Sequence, residues 1–263
     1  KLKSRIKNTK LYKKYRGKQI FKGRNNTEVF SNSSKMKVLF IIQRIEVFTS
    51  SLPIFNECIK RGYDVSILAL VRYFDSSNSF DFESQKKVLD YIKTLNVHNV
   101  KVIQSYNFDK KDYNSLVEIY DYIFINMPYK SHYPKNFDFQ NLRMHGKLCL
   151  ITYGYHATEN QVLFDCISNK DILENINYYF CTSIVQYDYV KSLLKYAETK
   201  EGKQIVYNLG FPRFELLDNA NYINPKQTIL WTPRWTDISN NRDNLAGSFL
   251  KYKDDFLNYA KHH

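Results

Sequence analysis

The sequence predicts an α/β protein built on a Rossmann-like, doubly wound parallel sheet. Three observations lead there. Short runs of Val, Ile, Leu, Phe and Tyr recur without polar alternation, as in strands buried on both faces. Longer polar-apolar stretches of helical character separate many of them, and parallel strands need such crossovers. Seven of these apolar runs lie between residues 37 and 208, enough for one wide open sheet.

Lys37–Gln43 is the first buried strand. Ser51 caps and Pro53 opens a helix that runs to Arg61, where Gly62 stops it. Asp64–Val71 repeats the strand signal, a helix follows from Asp81 to Leu95, and Val100–Gln104 is the third strand. Asp121–Met127 and Lys147–Tyr153 are the fourth and fifth, and Thr158–Cys166 is helical. Tyr178–Thr182 and Gln204–Asn208 complete the seven, with helices at Ile184–Tyr196 and Arg213–Leu217.

Asp218–Pro225 is a Pro-containing linker, followed by a new strand, Gln227–Trp231, and an amphipathic helix near Asn244–Lys261. These divide the chain into a basic tail and linker (1–35), a Rossmann-like domain (36–222) and the opening of a second α/β domain (223–263) whose remainder is absent. The alternative, that Gln227–Trp231 is one more strand of a single sheet, stays open.

The formal net charge of +13 is concentrated at one end. Residues 1–24 hold eleven Lys or Arg and no acid, leaving 28 basic against 26 acidic residues elsewhere. A near-neutral body argues against a nucleic-acid enzyme, which would carry its excess on the fold itself. Within the tail, Leu2, Ile6, Leu11 or Tyr12, and Tyr15 recur at helical spacing opposite Lys3, Arg5, Lys7, Lys10, Lys13, Lys14 and Arg16. Such a helix would bind an anionic membrane surface, each engaged cation contributing on the order of 1 kcal/mol; a solvated basic leader is the alternative. No apolar run approaches the roughly 20 residues of a spanning helix and no signal-peptide core follows Lys1. The expected location is therefore cytoplasmic, peripheral at the inner face of the cell membrane.

The skew toward Lys, Asn, Tyr, Phe and Ile reads as the compositional bias of an A+T-rich genome, so the abundance of Tyr and Asn is not taken as function. Cys58, Cys149, Cys166 and Cys181 have no metal or redox spacing and read as reduced, buried fillers. The six histidines show no ligand pattern, so no metal is expected. The phosphate-binding loop of nucleoside triphosphatases, the G-x-G-x-x-G turn and the G-x-S-x-G elbow are all missing, as is any Asp-x-Asp pair. A sugar transferase here would be metal-independent, neutralising its leaving phosphate with helix N-termini and basic side chains.

Three segments carry candidate chemistry. In Tyr155-His156-Ala157-Thr158, a capping box between Thr158 and Gln161 would place His156 between a strand's carboxyl end and a helix N-terminus. Ligands of open α/β sheets bind there, and a neutral imidazole can take a proton from an attacking hydroxyl. Gly210-Phe211-Pro212-Arg213 forms a glycine turn into a helix, with Arg213 beside the Pro. Ile229-Leu230-Trp231-Thr232-Pro233-Arg234-Trp235 ends a strand with Trp231, Arg234 and Trp235 poised for a base, ribose or phosphate.

In this order the three segments resemble the CDP-glycerol glycerophosphotransferase family, the teichoic-acid-type polymerases and primases. That family shows Trp-His-Gly-Thr, then a Gly-Tyr-Pro-Arg-Asn-Asp-like turn, then an Ile-Leu-Tyr-Ala-Pro-Thr-Trp-Arg-like strand end. The resemblance covers about residues 36–263 and is densest over 147–237. Ala157 stands where the family has glycine, and Arg234 precedes Trp235 where the family has Arg after Trp. The family's later Arg-x-His-Pro motif and its CDP-holding residues fall beyond His263.

The resemblance implies a glycosyltransferase-B fold with only the start of its second domain present. It implies transfer of a glycerol-phosphate-like group from CDP-glycerol to a lipid-linked or saccharide acceptor, in cell-surface polymer synthesis. His156 would be the base, Arg213 and Arg234 the phosphate contacts, and Gly210, Trp231 and Trp235 the walls of the cleft. No cofactor is implied beyond the nucleotide-activated donor, and no nucleic-acid partner. A nucleotide-sugar glycosyltransferase of the same fold and a non-catalytic, membrane-peripheral binding protein are the alternatives. The chain alone is expected to be inactive.

Overall fold

The computed structural model describes residues 35–74, 77–95, 97, 99–155, 170–194, 204–216 and 249–262. The chain divides into two compact units, Lys1–Asn219 and Ala220–His263.

The first unit is a mixed α/β fold around a seven-stranded, wholly parallel sheet. β1 (Lys37–Ile42) leads through the short α1 (Ile45–Phe48) and α2 (Leu52–Lys60) to β2 (Asp64–Ala69). A small antiparallel hairpin, β3 (Arg72–Phe74) and β4 (Ser79–Asp81), precedes α3 (Phe82–Thr94) and β5 (Lys101–Gln104). A second hairpin, β6 (Tyr106–Asn107) and β7 (Asp112–Tyr113), precedes β8 (Tyr122–Ile125). Two 3₁₀ turns (Lys130–His132, Lys135–Phe137) and α4 (Phe139–Arg143) lead to β9 (Lys147–Ile151). Then come α5 (Lys170–Asn175), β10 (Tyr178–Cys181), α6 (Ile184–Leu194), β11 (Ile205–Asn208) and a 3₁₀ turn, Pro212–Leu216. The strand order is β11-β10-β9-β8-β1-β2-β5, so the chain winds outward from β1, returns to its other side at β8, and winds outward again.

All seven strands expected from the apolar runs are present, and the period of two along each one sorts its residues between two cores. Val38, Phe40 and Ile42 meet Val65, Ile67 and Ala69 under α2 and α3, where Phe55, Cys58, Val88 and Ile92 are buried. Leu39, Ile41, Leu68, Ile123, Ile125, Leu148 and Leu150 face the other side, against Leu142 of α4, Ile172 of α5 and Val190 of α6. Burying each such side chain contributes roughly 1.5–3 kcal/mol before the entropy of ordering it is subtracted. A ladder of rings crosses the α2 side of the sheet: Phe55 to Phe40 (5.3 Å), Phe40 to Phe124 (4.9 Å), Phe124 to Phe180 (6.2 Å) and Phe180 to Tyr207 (5.7 Å). Its exposure rises from 1% at Phe40 to 40% at Tyr207, so cover thins toward β11.

Several local expectations are corrected. The Ser51 hydroxyl does not cap α2; it is shared between the Phe48 carbonyl, at the end of α1, and Asn126 Oδ1. Arg213–Leu217 is a 3₁₀ turn over Pro212–Leu216 rather than an α-helix. The two hairpins and α4 carry no long periodic pattern and are not foreseen by periodicity. The caps of α3 and α4 are Asp81 and Asp138, which accept from the backbone amides of Ser84 (3.0 Å) and Asn141 (2.8 Å). Thr158–Cys166 and Gln227–Trp231 lie outside the described residues, and α5 is an element the periodicity did not mark.

Cys58, Cys149 and Cys181 are free and buried. Burial pushes the Cys58 thiol up to about 11 and Cys181 to about 12, and raises Cys149 as well, so none is a ready nucleophile. Among the described residues of the second unit, α7 (Phe249–His262) is an amphipathic helix with Tyr252, Leu257 and Tyr259 exposed. No helix of the described residues is long and apolar enough to cross a membrane.

Candidate functional site

The strand order reverses between β1 and β8, the place where open parallel sheets bind their ligands. Gln43 follows β1 directly, Asn126 follows β8 directly, Arg72 opens β3 just beyond β2, and His132 sits in the 3₁₀ turn after β8. Residues from the ends of three adjacent strands, β2, β1 and β8, are thereby gathered at one edge.

Asn126 is buried and serves as the bracket of this edge. Its Nδ2 donates to the Ser50 hydroxyl (3.2 Å) and to the Ile151 carbonyl (3.1 Å), tying the β1–α2 connection to the end of β9. Gln43 is 3% exposed, and its Nε2 donates to the His132 carbonyl at 2.8 Å. Its Oε1, the Nε of Arg72 and the Nδ1 of His132 are buried with no hydrogen-bond partner among the described residues. The Arg72 guanidinium lies 4.4 Å over the Phe74 ring, and that ring meets His132 edge-on at 6.2 Å. Burial first, then the positive charges of Arg72 and Arg44, push the His132 imidazole down to about 4, so it is neutral at pH 7. Burial, reinforced by Arg44, also lowers Arg72, with Asp81 opposing.

A second cluster lies over β9 and β10. Thr182 N donates to Gln186 Oε1 (2.8 Å), and Gln186 Nε2 donates to the Thr152 hydroxyl (3.3 Å). The Thr152 hydroxyl in turn reaches the Gly154 carbonyl at 3.3 Å. Ser183 caps α6 by accepting from Gln186 N (3.2 Å), so one short motif both starts that helix and fixes the loop after β9. Tyr155, at the end of the described loop, packs against Phe214 (5.3 Å) and Phe211 (6.4 Å). Gly210 makes this possible with φ +83°, a left-handed conformation that turns the chain between β11 and the 3₁₀ turn. The clusters join through Tyr129, which contacts the His132 ring at 5.2 Å and shares a 2.8 Å hydroxyl–hydroxyl bond with Tyr153.

Two of the three segments singled out in the sequence therefore meet, through Tyr155 on one side and Phe211 and Phe214 on the other. Arg213 is exposed on its 3₁₀ turn, without the helix N-terminus expected beside it. His156, Trp231, Arg234, Trp235 and the tail cations Lys3, Arg5, Lys7, Lys10, Lys13, Lys14 and Arg16 lie outside the described residues. Gln43, Arg72, Asn126 and His132 were not anticipated; the signal for Gln43 and Asn126 was position, since each polar side chain falls at the end of a buried parallel strand. An aromatic cluster formed by Tyr73, Phe80, Phe82, Tyr106, Phe108 and Tyr113, with centroids 4.7–5.9 Å apart, packs the two hairpins together. Among the described residues no group of three His, Cys, Asp or Glu is placed to hold a metal ion.

No family model, curated protein or solved structure matches the chain.

Proposed function

We propose that this chain carries the acceptor side of a glycosyltransferase-B-type transferase that moves a glycerol-phosphate-like group from CDP-glycerol to a lipid-linked or saccharide hydroxyl. The observation that carries the reading is the contact of Tyr155, the neighbour of His156, with the Gly210–Phe214 turn at the carboxyl edge of a parallel sheet. Two segments far apart in sequence, each carrying the family resemblance, meet where such sheets bind ligands.

In this reading His156 accepts the proton of the attacking hydroxyl as the new phosphate–oxygen bond forms and CMP leaves. Arg213 and Arg234 offset the charge on the phosphates, and Trp231 and Trp235 shape the cleft. The cationic tail holds the enzyme at the anionic inner leaflet, where a lipid-linked acceptor resides.

The test is acceptor-dependent release of CMP from CDP-glycerol by the full-length natural protein, run beside UDP- and GDP-sugars. His156→Ala should abolish release while leaving CDP-glycerol binding nearly unchanged. Retained turnover removes His156 from the mechanism, and release of UDP or GDP instead of CMP reassigns the donor. Liposome binding that falls with salt and with deletion of residues 1–24 tests the membrane role separately.

A further inference from the structure

We propose that the carboxyl edge of β2, β1 and β8 binds a small hydroxylated anion, a sugar or polyol bearing a phosphate or carboxylate, held by Arg72, Gln43 and His132. The case begins with three unused atoms. Arg72 Nε, Gln43 Oε1 and His132 Nδ1 are buried without partners among the described residues, whereas buried polar atoms in folded proteins almost always have one. Their residues sit beyond the carboxyl ends of three adjacent strands and flank the one point where the sheet reverses its winding.

Their chemistry narrows the ligand. Arg72 Nε is a charged donor without an acceptor among the described residues, since the Asp81 carboxylate acts on the guanidinium through its charge and the exposed Arg44 is paired with Glu46 at 3.4 Å, so Nε suits an anionic oxygen. Gln43 is held by its Nε2 bond to the His132 carbonyl, so Oε1 is a fixed acceptor that needs a hydroxyl donor and repels a bare anion. Neutral His132 offers Nδ1 as donor or acceptor according to tautomer. An inorganic anion would satisfy Arg72 Nε and oppose Gln43; a neutral sugar would satisfy Gln43 and give Arg72 Nε only an uncharged acceptor. A ligand carrying both groups satisfies all three, and the rings of Phe74 and Tyr129 beside His132 give its carbon face an apolar surface. This site does not depend on the transferase reading.

Calorimetric titration of the full chain with glucose 6-phosphate, ribose 5-phosphate, glucuronate, glucose and inorganic phosphate tests it, together with NMR of the His132 ring. At least one anionic sugar should bind tenfold or more tighter than glucose and inorganic phosphate and should move the His132 ring signals. Arg72→Met should weaken that binding at least tenfold, and Gln43→Met should erase the preference over inorganic phosphate. Phosphate esters without glucuronate, or the reverse, would identify the anionic group. The proposal is overturned if no anionic sugar binds, if inorganic phosphate binds equally well, or if binding leaves the His132 signals of the wild-type protein unmoved. That last readout needs no variant to fold.

Discussion

The hydroxyls of Tyr129 and Tyr153 meet at 2.8 Å and link the loop after β8 to the loop after β9. The pair is exposed, so its net contribution is small, about 0.5–1 kcal/mol. Tyr129→Phe, Tyr153→Phe and the double variant should lose about the same stability, because either change removes the same bond. Urea unfolding of the three variants measures the coupling, and fully additive losses would show that the hydroxyls act separately.

Asn126 should matter more. Asn126→Ala leaves the Ile151 carbonyl without its side-chain donor and removes the partner of the Ser50 and Ser51 hydroxyls in a buried setting. The expected loss is about 2–4 kcal/mol, read as a lower urea midpoint at unchanged slope. A loss under about 0.5 kcal/mol would mean that water replaces the bracket.

Gly146 stands before β9 with no room for a side chain. A Cβ there would lie 2.7 Å from the Tyr120 carbonyl oxygen and 3.1 Å from Ile123 Cγ1. Gly146→Ala must push the backbone leading into β8 away from β9, at a cost of about 1–3 kcal/mol. Gly154→Ala is the control: nothing lies within 4 Å of a Cβ there, and thermal melting should separate the two.

The pH dependence has a definite sign. An unfolded imidazole takes its proton near its ordinary 6.5, but folded His132 does so only near 4. Between those values the unfolded chain binds more protons, so stability falls as pH drops from about 6.5 toward 4. Glu57, Asp90 and Glu118, held low by hydrogen bonds from Arg61, Lys93 and Lys101 respectively, lose their contribution at lower pH, below the ordinary carboxylate range. The window from pH 6.5 to 4.5 therefore lies above the loss of these carboxylate contributions, and the difference between wild type and a His132 variant across it reports His132. His132→Gln should be less sensitive than wild type across it in paired urea titrations.

The sheet was legible in the sequence because a parallel strand buried on both faces writes itself as an unbroken apolar run; Lys37–Gln43 and Tyr178–Thr182 are two such runs. The hairpins were hidden for the opposite reason, since β6 and β7 are two residues each and owe their position to ring packing among Phe82, Tyr106, Phe108 and Tyr113. Gln43, Arg72 and His132 become a group only once β2, β1 and β8 are known to be neighbours, and spacing along the chain does not encode that adjacency. The meeting of Tyr155 with Phe211 likewise depends on β9 and β11 lying two strands apart.

The position of β1 at the centre of the sheet also has a consequence for synthesis. β2 is made soon after β1 and can pair with it at once, but the strand that covers the other edge, β8, lies roughly 80 residues downstream. At 5–20 residues per second the nascent chain spends about 4–16 s with the Val38–Ile42 edge open and strongly apolar. An unpaired edge of that kind recruits other strands, so the half-synthesised chain is more open to wrong pairing than the finished sheet.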